Sequence, residues 1–196
     1  MGNFDIKIEK FLKAFIDNGG YHNVLTGLKN TMEIAIIGLL IGIAIGTLIA
    51  SIRVLPKYRT LPRVLDKICS FYVAIFRGTP MVVQLLVFYY VLMPLMGIKI
   101  DGLNVAITVF GLNSGAYVSE IMRGGILSVD PGQLEGGRSV GMSYATTMFK
   151  IVIPQAIKNI LPTLGNEFIM LLKDTSLITV IGGKELLYAA QGIMNR

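Results

Sequence analysis

Residues 31–52 read TMEIAIIGLLIGIAIGTLIASI, and this stretch decides the solvent in which the chain folds. Glu33 is its only ionisable side chain, and about 20 predominantly apolar residues in a helix cross a hydrocarbon core roughly 30 Å thick. Gly38, Gly42 and Gly46 fall four apart on one helical face, where a second helix can come close. On the C-terminal side, apolar blocks return at residues 80–96, 103–122 and 157–181. With 53% hydrophobic and 15% charged positions, the mean hydropathy of +0.65 exceeds what a soluble core requires. The expected fold is all-α and integral to a membrane.

The formal charge of +6 does not point to nucleic acid, because Lys and Arg sit between the apolar blocks instead of forming a stripe interleaved with aromatics. They read as topology signals. Arg53, Lys57, Arg59, Arg63 and Lys67 follow the first block, Arg123, Arg138, Lys150 and Lys158 follow the third, and only Lys99 occupies the loop between. The positive-inside bias puts both basic loops in the cytoplasm and the N-terminus outside. Residues 1–30 read as an N-terminal interfacial segment, with Phe4, Ile8, Phe11, Leu12 and Phe15 at helical spacing among Lys7, Glu9, Lys10 and Lys13. No short apolar core with a small-residue cleavage site opens the chain, so no removed signal peptide is expected. Residues 61–76 form an amphipathic elbow that stops at Arg77-Gly78-Thr79-Pro80, and Pro94 is expected to kink the second span. Residues 184–196 are too short to span, and a fifth span is expected beyond them. A lone cysteine, Cys69, excludes an internal disulfide and any Cys/His metal cluster; the lone His22 reads as solvated.

The loop at residues 124–156 carries the most mechanism. Asp130 caps a helix starting at Pro131, Gln133 completes a capping-box pattern, Gly141 interrupts the helix, and Ser143 caps a second one. Tyr144, Met148 and Ile151 share a side of that second helix, and Pro154 begins the return to the membrane. Such a bent amphipathic element fits a groove in a soluble partner and can transmit a push.

The pattern Glu135-Gly136-Gly137, then Gly141, then Ile151-Val152-Ile153-Pro154 resembles the EAA loop of binding-protein-dependent ABC importer permeases. That loop has Glu-Ala-Ala, a glycine four positions after the second alanine, and a closing Ile-x-Leu-Pro. Spacing agrees throughout, while both alanines are glycine here and Ile153 stands for leucine. Residues 76–80, Ser114-Gly115-Ala116-Tyr117 through Glu120 to Arg123, and Gly165-Asn166-Glu167-Phe168 through Lys173-Asp174 resemble the polar amino acid (histidine, glutamine, arginine) permeases of that superfamily. The resemblance implies a five-helix, type I importer-like core in the bacterial or archaeal cytoplasmic membrane and a permease domain over residues 31–196. It also implies a second permease subunit, with a homodimer favoured, a dimer of ATPase subunits carrying ATP and Mg, and an extracytoplasmic amino-acid-binding protein. Coupling would fall to Glu135, Gly136, Gly137, Arg138, Gly141 and Met142. The chain holds no phosphate-binding Gly-x-x-x-x-Gly-Lys-Ser/Thr loop and no partnered nucleophile or acid/base pair, so it is read as a permease and not an enzyme, with no cofactor of its own.

Asn113, Tyr117 and Glu120 lie at i, i+4 and i+7 on the third span, and Thr163, Glu167, Met170 and Asp174 do likewise on the fourth. Two polar faces in apolar helices suggest a lined path, with Asn113, Tyr117, Asn166, Glu167, Gln84 and Thr163 as candidate substrate contacts. Hydrogen bonding between helices is the alternative reading of the same residues. A carboxylate near mid-span is costly unless paired or hydrated, so Glu167 favours a basic cargo (arginine, lysine or histidine) over glutamine. Glu120 and Arg123, three apart, read as a gating or structural ion pair, and Arg77 is assigned the same kind of role; Lys173 and Asp174 either shape the outer mouth or break the helix. The rival reading is an ATP-independent secondary transporter or channel, which would leave the bent loop without a role.

Overall fold

The computed structural model describes residues 3–17, 19–55, 58 and 60–194. Lys57 and Arg59 of the basic loop, and the terminal Arg196, lie outside them. Among the described residues every regular element is helical.

The first helix, α1, covers Asn3–Leu12, and Phe4, Ile8, Phe11 and Leu12 along it are exposed. Helix α2 then runs unbroken over Gly20–Val54. At 1.5 Å per residue its 35 residues reach about 52 Å, well beyond a hydrocarbon core. Residue 31 is therefore where apolarity begins and not where the helix begins. Hydropathy detects lipid contact, while the helical turn itself starts after Gly19, whose φ of +67° reverses the chain.

Helix α3, Thr60–Gly78, is the elbow. Helix α4, Met81–Val87, a π-helical turn at Phe88–Leu92 and the short α5, Met93–Leu95, make up the second span. The widening precedes Pro94, whose missing N–H cannot serve a regular helical turn. The Thr79 hydroxyl donates backwards to the Ile75 carbonyl at 2.8 Å. Helix α6 spans Gly102–Leu127, longer by five residues at its C-terminal end than its apolar stretch. Both α2 and α6 are long and apolar enough to cross a membrane, and α3 with residues 81–95 meets that test only as one broken span. After the loop, α9 covers Ile153–Asp174 and tightens into a 3-10 helix at Thr175–Ile181. Its 22 residues suffice in length, but its sequence includes Lys158, Asn159, Asn166, Glu167, Lys173 and Asp174, and it is not among the helices apolar enough to cross.

By contacts the chain divides into two units. One holds residues up to Gly38, Pro80–Phe110 and Leu171 onwards; Ile34, Leu85, Val105, Val109, Phe110 and Ile178 are among its fully buried apolar side chains. Its last helix, α10 at Leu186–Met194, is docked on α2: Asn30 donates to the Lys184 carbonyl at 2.7 Å and the Leu186 N–H donates to Thr31 Oγ1 at 3.3 Å. Buried Glu185 caps α10 by accepting from the Leu187 and Tyr188 N–H groups, each at 2.6 Å.

The other unit comprises Leu39–Thr79 and Gly111–Met170 and contains the residues of greatest interest. Within it α2 and α6 interdigitate through glycines. A Cβ on Gly42 would come within 2.5 Å of Ser114 Oγ, and one on Gly46 within 2.7 Å of Val118 Cβ. Reciprocally, Ile41 and Ile45 fill the spaces left by Gly111 and Gly115. The glycine stripe is thus one half of a two-sided joint. Gly42→Val is expected to destabilise the fold by about 2 kcal/mol through overpacking. Ser114→Ala, at the facing position, should be neutral, because the fully buried Ser114 hydroxyl has no hydrogen-bond partner. Thermal melts of both variants in detergent check this, and a Gly42→Val melt equal to the parent would refute the close approach.

Candidate functional site

The loop after α6 is built by local chemistry. Asp130 accepts from the Gly132 N–H at 2.8 Å and starts α7 at Pro131–Ser139. Gly141 ends it with φ +88°; its N–H reaches the Arg138 carbonyl at 3.0 Å and that of Met142 reaches Gly137 at 3.1 Å, the paired closure of a Schellman turn. Ser143 accepts from the Thr146 N–H at 3.2 Å and starts α8, Tyr144–Thr147. Gln133 does not close a capping box: its side-chain oxygen accepts from Gln155 at 3.2 Å, across the loop. Local spacing could not reveal a partner 22 positions away.

From α8 the chain continues through a π-helical turn, Met148–Val152, straight into α9. Pro154 therefore lies in the first turn of α9 and does not interrupt the helix, because the widened turn before it accommodates the missing donor. Tyr144, Met148 and Ile151 do turn inward, with burial pushing the Tyr144 phenol pKa up, while Phe149 stays 72% exposed. The loop is closed at its base. Asn159 donates to Ser128 Oγ at 2.8 Å, Gln155 bonds Gln133, and Gly125 is pressed against Ile160. Of the candidate coupling residues, Glu135, Gly136, Arg138 and Gly141 are exposed, Met142 is half-buried and Gly137 is buried against Thr147. A stiff bent element, fixed at both ends and bare on one side, can carry force between a membrane helix and a body seated on it.

A second cluster stands at the end of α2. Arg53 is ion-paired with Glu120 of α6, lies 3.9 Å from Asp66 of α3, and shares Glu120 with Arg123, which sits at 3.4 Å. The Glu120 and Arg123 pairing read from the sequence is present, yet Arg53 and Asp66 complete it. Their signal was only that Arg53 closes an apolar span and Asp66 is the single carboxylate of the elbow.

Higher on α6, Asn113 is buried and donates to the Phe76 carbonyl at 3.2 Å, and the Arg77 guanidinium lies 5.2 Å from the Tyr117 ring centre. Both side chains thus grip the end of the elbow, and Tyr72 adds a bond to the Leu112 carbonyl. On α9, Glu167 is buried at 5% exposure and partnered, whereas Thr163 and Asn166 are exposed. Thr163 donates to the Asn159 carbonyl at 3.4 Å. Gln84, in the other unit, is likewise buried and partnered. Lys173 is exposed and Asp174 half-buried where α9 gives way to the 3-10 turn, so this pair marks a helix break.

Residues 38–195 match the family described as binding-protein-dependent transport system inner membrane component. The arginine transport system permease protein ArtQ of Bacillus subtilis is 40% identical over 81% of this chain and 70% of its own. A putative glutamine transport system permease protein, GlnP of Rickettsia prowazekii, is 38% identical over 86% and 75%. The crystal structure of an amino acid ABC transporter with histidines superposes with a TM-score of 0.81 at 38% identity, covering 89% of this chain and 79% of that one.

Proposed function

Because the chain belongs to the binding-protein-dependent inner membrane components and is an amino acid ABC importer permease subunit, we propose that its cargo is a basic L-amino acid recognised through Glu167. The permease serves a separate ATPase and a binding protein. In the proposed assembly two copies of this chain face each other with their N-termini outside, and ATP and Mg stay on the ATPase pair. Glu135, Arg138 and Gly141 meet that pair, and Asn113, Tyr117, Thr163 and Asn166 line or brace the path.

The carrying observation is Glu167, a carboxylate 5% exposed on a helix long enough to span. Ionisable side chains at membrane depth most often face a transport path or a partner, and a cationic side chain or amino group of the cargo is the complement of a carboxylate there. Arginine and glutamine permeases both stand among the relatives, and the buried charge is what tips the choice toward a cation.

Uptake by vesicles containing permease, ATPase and binding protein tests this with arginine, lysine, histidine and glutamine. Glu167→Gln is expected to lower basic amino acid uptake about tenfold, the worth of one charge-assisted hydrogen bond, while sparing glutamine. Equal uptake of all four before and after the substitution would sink the assignment. Uptake without the ATPase would return the chain to the secondary-transporter reading.

A further inference from the structure

We propose that Arg77 is a substrate-binding residue: its guanidinium, held over the Tyr117 ring at membrane depth, receives the α-carboxylate of the amino acid in transit. In the sequence Arg77 stands at a break between apolar blocks. The fold carries it deep. Helix α3 ends against the middle of α6, where Asn113 donates to the Phe76 carbonyl at 3.2 Å and the Arg77 guanidinium lies 5.2 Å from the Tyr117 ring centre. Asn113 and Tyr117 flank the midpoint of a 26-residue helix that is long and apolar enough to cross a membrane. An arginine at that level is costly in hydrocarbon, and such residues face a transport path or a partner.

The surroundings of the guanidinium narrow its task. Among the described residues no carboxylate pairs with it and none of its N–H groups is hydrogen-bonded; its partner is the ring. A π-face offsets part of the charge but offers no lone pair to the N–H fork. The side chain is exposed, and a Cβ on the adjoining Gly78 would meet nothing within 4 Å, so the end of the elbow is open. A planar fork of donors that lacks an acceptor matches a carboxylate bidentately. Every free amino acid carries one, whatever its side chain, and the chain is an amino acid importer permease. Arg77 thus reads what all such cargo shares, while Glu167 in the reading above selects among them. The inference rests on the cargo being an amino acid and not on its being basic.

Equilibrium binding to the purified permease–ATPase complex, without the binding protein, tests this. The probe is whichever of arginine, lysine, histidine and glutamine the parent importer takes up, measured beside its own α-carboxamide, which keeps the side chain and removes the negative charge. The parent is expected to bind the free acid about tenfold more tightly than the amide, the worth of a charge-assisted contact. Arg77→Gln, and Arg77→Met as an independent substitution, should erase that preference, and Arg77→Lys should keep part of it. Glu167→Gln should weaken both compounds and preserve their ratio, which separates this inference from the choice of cargo. A parent that binds acid and amide alike, or binds neither, would overturn the proposal. So would Arg77 variants that keep the preference, or that lose both compounds in parallel while Arg77→Lys restores both, since the guanidinium would then brace the elbow or pair with a carboxylate of a second copy.

Discussion

Gly141→Val is expected to lower substrate-stimulated ATP hydrolysis and amino acid uptake about thirtyfold in the reconstituted importer, leaving the unstimulated ATPase rate unchanged. At φ +88° a side chain with a Cβ is strained, and the left-handed conformation costs an L residue about 1–2 kcal/mol, with β-branched residues at the upper end. Relieving that strain means abandoning the two closing bonds to Gly137 and Arg138. The angle between α7 and α8 would then be lost, and with it the shape offered to the ATPase. A population shift of 2 kcal/mol corresponds to about thirtyfold. Gly141→Asn is the control, since asparagine tolerates this conformation and should keep most of the activity. A valine variant as active as the asparagine one would mean that the bend is not what couples the subunits.

The caps of this loop were legible because each is a contract between neighbours: Asp130 with Gly132, Ser143 with Thr146, Gly141 with its own backbone. The family likeness was legible for the same reason, as spacing along one strand of text. What sequence could not disclose is how Gly136 and Gly137 differ. They stand side by side where the EAA pattern has two alanines. Yet a Cβ on Gly136 would meet nothing within 4 Å, while one on Gly137 would strike Thr147. Gly137 is closed over by a threonine ten positions later, and Gly136 is not. Likewise the stripe of Gly42 and Gly46 was visible, but the isoleucines that fill Gly111 and Gly115 in return were not. Helix length was read poorly, as the start of α2 at Gly20 demonstrates. Asn113 and Tyr117 were found by their shared face; that they hold the elbow by Phe76 and Arg77 required the third dimension.

Arg53→Ala is expected to be the most damaging single change in the charge cluster, at about 3 kcal/mol, because it strips Glu120 of its closer partner and removes a cation from beside Asp66. The side chains of Arg53 and Glu120 are only 14% and 23% exposed, so water cannot fully replace what is lost. Arg123→Ala should cost about 1 kcal/mol or less: its side chain is 36% exposed and its contact with Glu120 is longer, at 3.4 Å. If the pairing itself carries the effect, Arg53→Met combined with Glu120→Gln should recover much of the loss, since the less exposed charges of the pair are then removed together and it is the more exposed Arg123 that loses Glu120. Thermal unfolding in detergent reads stability, and stimulated ATP hydrolysis reads gating. Recovery of the melt without recovery of stimulation would assign the cluster a part in opening and closing, whereas joint recovery would make it a brace. Equal destabilisation by the Arg53 and Arg123 variants would contradict the ranking, and strictly additive losses in the double variant would remove the case for a coupled network.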